Sequence, residues 1–75
     1  MRTGVVISYN TKVRHGNIKD SNGQKIQFHL EDVHETLSRL DLVRFDIAFV
    51  NGSLRAVNIS MIYDSNGIPL KMIVS

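Results

Sequence analysis

Three histidines, His15, His29 and His34, are the side chains best suited to acid–base or metal chemistry, and their surroundings point away from both. His29, Asp32, His34 and Glu35 crowd into one short stretch, but the spacing His-x₄-His matches no common zinc pattern and the chain has no cysteine. Ser8, Ser21 and Ser38 have no base at a recognisable spacing, and no glycine-rich phosphate loop is present. The chain therefore reads as non-catalytic, with no cofactor and no metal. What the histidines offer instead is recognition. Ile26, Phe28 and Leu30 alternate with Gln27 and His29, so an extended segment puts Gln27 and His29 on its outer side. Ile18 in turn points inward and leaves His15 and Asn17 facing out. An outward imidazole can stack on a flat ring or donate a hydrogen bond. The alternative is an ordinary solvated surface.

Cations surround these positions. Residues 1–30 carry Arg2, Lys12, Arg14, Lys19 and Lys25 against Asp20 alone, a balance of +4, whereas residues 31–75 balance at −2. The overall charge of +2 decides nothing, but its distribution suggests a face suited to phosphate, the rival being a mixed solvated surface.

The elements that must position this face are strands. Asn-Gly occurs at 22–23, 51–52 and 66–67, each pair flanked by alternating or β-branched residues. Both residues tolerate positive φ, so a type I′ hairpin turn is expected at each. Strands are expected near 3–9, 15–19, 25–30, 43–50, 54–63 and 69–74. Val43, Ile47 and Phe49, like Val57 and Tyr63, are placed by period two on buried faces. Glu31 to Leu42 does not alternate; Val33, Leu37 and Leu40 fit a short helix or 3₁₀ turn. Asp20-Ser21-Asn22-Gly23 recurs as Asp64-Ser65-Asn66-Gly67, the same turn chemistry used twice. Seventy-five residues make one thin-cored domain. No secretory leader and no apolar run of about 18 residues is visible, so a cytoplasmic protein with no membrane association is expected.

Five main strands with a long third connection suit a small Greek-key barrel of the oligonucleotide-binding (OB) type. Gly4-Val5-Val6-Ile7-Ser8-Tyr9-Asn10 resembles the opening of the cold-shock domains, Gly-x-Val-Lys-Trp-Phe-Asn. Arg14-His15-Gly16-Asn17-Ile18 falls where those domains carry Gly-Phe-Gly-Phe-Ile, and Ile26-Gln27-Phe28-His29-Leu30 where they carry Val-Phe-Val-His-Phe. Val43-Arg44-Phe45-Asp46-Ile47 resembles their fourth strand and Arg55-Ala56-Val57-Asn58-Ile59-Ser60 the end of their fifth. The resemblance covers residues 4–60 in order. It implies single-stranded RNA or DNA as partner, bound by Ser8, Tyr9, Lys12, Arg14, His15, Asn17, Lys19, Lys25, Gln27 and His29. Ser8 stands for a tryptophan, Tyr9, His15, Asn17, Gln27 and Leu30 for phenylalanines, and His29 is retained. Base–aromatic stacking is worth about 1–3 kcal/mol per base, so this polar version implies weak, salt-sensitive binding. A barrel that has lost this activity and serves as a protein-interaction or oligomerisation module is the alternative, and a ribosomal or translation-initiation type of barrel a third.

Residues 1–60 are thus expected to form the barrel and residues 61–75 a C-terminal hairpin extension. Met61, Ile62, Tyr63, Ile68, Leu70, Met72, Ile73 and Val74 are too apolar for a disordered tail. The hairpin must dock on its own barrel or on a second copy, and a homodimer made or supported by it is expected.

Overall fold

The computed structural model describes residues 1–73. Its strands are β1 (Arg2–Asn10), β2 (His15–Asp20), β3 (Lys25–His29), β4 (Leu42–Val50) and β5 (Ser53–Met61). They close into a barrel in the order β1-β2-β3-β5-β4, with β4 pairing back onto β1. All pairs are antiparallel except β3 with β5, which meet in parallel at Phe28 and Ala56. This is the five-stranded barrel of the OB type that the strand pattern implied. No helix among the described residues is long and apolar enough to cross a membrane.

The core follows from alternation. Val6, Ile18, Ile26, Phe28, Val43, Phe45, Ala56 and Ile59 fill the barrel, and Leu37 plugs it from the long connection. Full burial of each aliphatic or phenylalanine side chain is worth about 1.5–3 kcal/mol. Gly16 is required beside Phe28, because a Cβ there would collide with the phenylalanine ring. β1 carries a bulge at Ile7, between the Val6–Ile18 and Ser8–Asn17 pairs, which bends the strand from one neighbour to the next.

Several expectations need correction. Phe49 is 72% exposed, not buried. Its phase is right, since it lies opposite Leu54 two residues beyond the Ile47–Ala56 pair, on the side that becomes the barrel interior. The barrel wall ends before the β4–β5 hairpin does. In β5 the phase breaks: Ala56 and Ile59 are buried, whereas Val57 is only half-buried. Asn58 adopts φ 52° and inserts the extra residue that shifts the β4–β5 register. The connection after β3 forms only a 3₁₀ turn, Leu30–Asp32, and then runs irregularly to Asp41, with Val33 bridged to Ile59.

Only one Asn-Gly pair makes the expected turn. Asn51 and Gly52 both have positive φ, 51° and 84°, as type I′ requires. In the other two hairpins only the glycine is left-handed, at 83° for Gly23 and 78° for Gly67. The aspartate two residues before each asparagine captures the backbone: Asp20 Oδ1 accepts from the Asn22 and Gln24 amides, and Asp64 Oδ1 from those of Asn66 and Ile68. Both loops thereby become three-residue hairpin loops ending in a left-handed glycine.

The C-terminal arm docks on its own barrel. Tyr63 bridges Pro69 and Lys71 bridges Asp41, each as a single bridge and not a ladder. The Leu42 amide donates to the Leu70 carbonyl, Ile62 to Leu42, and Met72 to Leu40. Lys71 Nζ lies 2.6 Å from Asp41 Oδ1, whose other oxygen accepts from the Ser38 amide. Tyr63 is half-exposed and was expected to be buried. Val74 and Ser75 lie outside the described residues.

Candidate nucleic-acid interface

The antiparallel register of β2 and β3 builds three cross-strand rungs on the barrel's outer side. His15 lies opposite His29, Asn17 opposite Gln27, and Lys19 opposite Lys25. Ile18 opposite Ile26 and Gly16 opposite Phe28 are the intervening inward pairs, so the pleat keeps the three polar rungs on one face. Four residues of strand separate the histidine rung from the lysine rung, about 13 Å. β1 extends the middle rung, since Ser8 pairs with Asn17.

Side-chain contacts bind the face together. The His15 and His29 rings stack with centroids 4.4 Å apart and planes 24° from parallel. Gln27 Nε2 is 3.3 Å from His15 Nδ1, and Asn17 Nδ2 donates to Ser8 Oγ at 3.3 Å. The Asn17 and Gln27 amides and the two imidazoles offer both donors and acceptors to a ligand, and Lys19 and Lys25 offer charge at the far end.

Lys12 and Arg14 sit in the exposed turn from β1 to β2, beside the histidine rung. Asn10 shapes that turn, its Oδ1 accepting from the Lys12 amide and its carbonyl from the Arg14 amide. Arg14, at φ 59°, has its carbonyl bound by the Leu30 amide, which ties the turn to the end of β3. Tyr9 does not join the face. It pairs with Gly16, and the pleat assigns that pair to the opposite side from Ser8 and Asn17. The sequence counted Ser8 and Tyr9 together although they are neighbours on one strand.

Sequence reasoning missed a charged network at the histidine end. Glu31 lies 3.6 Å from His29 Nδ1 and 3.2 Å from the Arg55 guanidinium, which also holds Asp32 at 2.6 Å. Arg55 on β5 is thereby committed to the 3₁₀ turn. Glu31 follows His29 by two residues, a spacing that could have flagged it; nothing in the sequence pairs Asp32 with Arg55. Among the described residues no three His, Cys, Asp or Glu side chains are grouped to hold a metal ion.

Compared with protein-family models and with curated proteins, the chain matches none. The likeness to cold-shock domains therefore stands on the residues quoted above, and the barrel on its strand order.

Proposed function

We propose that this chain is a non-catalytic, cytoplasmic module that binds single-stranded RNA or DNA weakly through the outer face of β1, β2 and β3. The observation that carries the reading is the register: a stacked imidazole pair, an amide pair and a lysine pair stand on successive rungs of one face. Imidazoles supply flat rings for base stacking, the amides supply base-edge hydrogen bonds, and Lys12, Arg14, Lys19 and Lys25 supply phosphate contacts. With no large aromatic on those rungs, phosphate contacts carry most of the affinity, and salt weakens it steeply.

Fluorescence anisotropy with a labelled pyrimidine oligonucleotide at about 50 mM salt, where phosphate contacts still hold, tests this. The double substitution of His29→Ala with Gln27→Ala should weaken binding about tenfold, while Arg44→Ala, exposed on β4, should change it little. Equal losses from the two would place the contact on another surface.

A second reading is favoured by one specific observation. The arm leaves Ile68, Leu70, Met72 and Ile73 exposed, and a mainly apolar groove of about 690 Å³ opens between it, β1 and the β2–β3 loop, walled by Val5, Ile7, Leu42, Ile62 and Met72 with Lys19, Asp20 and Ser21. Such a surface fits a second copy of the chain, which would make the barrel an oligomerisation module.

A further inference from the structure

Asparagine followed by glycine is the dipeptide best set up for a reaction within its own backbone. The glycine amide nitrogen, once it has lost its proton, attacks the asparagine Cγ unhindered, because glycine has no side chain to shield it. A bond forms between that nitrogen and Cγ, the side-chain nitrogen leaves as ammonia, and a five-membered succinimide results. Water then opens the ring at either carbonyl and leaves an aspartyl or an isoaspartyl residue. The chain carries three such pairs, so the fold decides which of them reacts.

Access does not separate the three. All six residues are exposed, and a Cβ built at Gly52 or at Gly67 meets nothing within 4 Å. Hydrogen bonding does separate them. The Gly23 amide donates to the Asp20 carbonyl and the Gly67 amide to the Asp64 carbonyl, each at 3.0 Å. In the same loops Asp20 Oδ1 and Asp64 Oδ1 hold the asparagine amide and the amide that follows the glycine. The peptide unit that must rotate is thus held at both ends. In the β4–β5 turn neither the Asn51 nor the Gly52 amide donates a hydrogen bond among the described residues; Ser53 Oγ only crosses the base of the turn to the Val50 carbonyl. This turn also projects past the barrel wall, with Phe49 72% and Leu54 57% exposed beneath it, so packing does not resist its rotation.

We propose that Asn51 is a site of spontaneous deamidation, and that the aspartate-capped loops protect Asn22 and Asn66 from the same reaction. The proposal is independent of nucleic-acid binding. Conversion adds one negative charge at the hairpin tip and lowers the formal net charge of +2 by one. The isoaspartyl form also routes the main chain through the side-chain carbon, one atom longer, in a two-residue turn closed by the Val50–Ser53 pair. That product opens the tip and leaves the barrel intact, because the core ends before the hairpin does.

The test incubates the full chain in warm, mildly alkaline buffer, since the attacking nitrogen must lose its proton. Cleavage after lysine and arginine puts the three pairs in separate peptides, 20–25, 45–55 and 56–71, whose aspartyl and isoaspartyl forms mass spectrometry and chromatography resolve. Asn51 should convert about tenfold faster than Asn22 or Asn66, the factor expected when one hydrogen bond must first break. In concentrated urea the three rates should converge. Asp64→Ala, at an exposed position, should raise the rate at Asn66 towards that at Asn51 and leave Asn22 unchanged. An intact Asn51, or one no faster than the other two in the folded chain, would overturn the proposal. A difference that persists in urea would do so too, by assigning selectivity to neighbouring residues and not to the fold. An unchanged Asn66 in Asp64→Ala would remove the protective role of the capped loops.

Discussion

Asp20-Ser21-Asn22-Gly23 and Asp64-Ser65-Asn66-Gly67 fold into the same loop and end in different structures. In each, the aspartate Oδ1 accepts two amides, the glycine amide donates to the aspartate carbonyl at 3.0 Å, and the aspartate amide donates across the loop at 2.9 Å. After the first loop a ladder runs from Lys19–Lys25 to His15–His29 without a break. After the second there is a single bridge, Tyr63 with Pro69. The strand leaving Gly23 carries Ile26 and Phe28 into the core, whereas the one leaving Gly67 meets Pro69, which has no amide to donate, and exposes Ile68, Leu70 and Met72. Four residues suffice to write a turn. How far the strands then run depends on what their side chains can bury.

The comparison is broken most directly at the two aspartates. The Asp20 side chain is 2% exposed and Asp64 lies at the surface, so water can replace the lost acceptor only at Asp64. Asp20→Ala should cost about 2 kcal/mol and Asp64→Ala under about 0.5 kcal/mol, read from urea denaturation midpoints. Equal costs would show that solvent access does not separate the two loops.

The arm's exposed apolar residues sharpen the contrast further. If a second copy covers them, replacing Ile68 and Ile73 with lysine should weaken self-association at least about tenfold in sedimentation equilibrium. A wild type that stays monomeric at every concentration would remove the oligomerisation reading and leave the arm as a cap on its own barrel.

The smallest effect concerns how the arm is anchored. Glu35 accepts from the Met61 amide and from the Tyr63 hydroxyl. That hydrogen bond, partial burial, and the charges of Glu35 and Asp41 hold the Tyr63 pKa above its usual value of 10.0. The fold favours the protonated phenol, so its stabilising contribution is complete below the unfolded pKa and fades as pH rises through the higher folded one. Ultraviolet titration should show a late-ionising phenol in the wild type that Tyr63→Phe removes, and the variant's stability should fall less above that pH. A normal titration would remove the Glu35 anchor.

Much of the candidate site was legible because it depends on two short-range rules. Alternation within Arg14–Ile18 and Ile26–Leu30 puts His15, Asn17, Gln27 and His29 outside, and a tight loop between them brings the two strands into register. Tyr9 entered the candidate site through the resemblance to a family motif, whereas the same alternation puts it on the other side of the strand from Ser8. Arg55 escaped detection because its carboxylates lie 23 and 24 positions away and meet it only when β3 and β5 close the barrel.

The sequence alone determined the five barrel strands, the places of the turns and which residues of β2 and β3 face outward, but not the strand expected at 69–74, because φ preferences, the pleat and hydrophobic alternation act over a few residues. Tertiary structure alone decided where the barrel wall stops, and hence that Phe49 and Leu54 keep an inward phase while standing in solvent. It also decided where the arm docks. Both outcomes depend on contacts between segments far apart in the chain, and a periodic pattern carries no information about its own far partner.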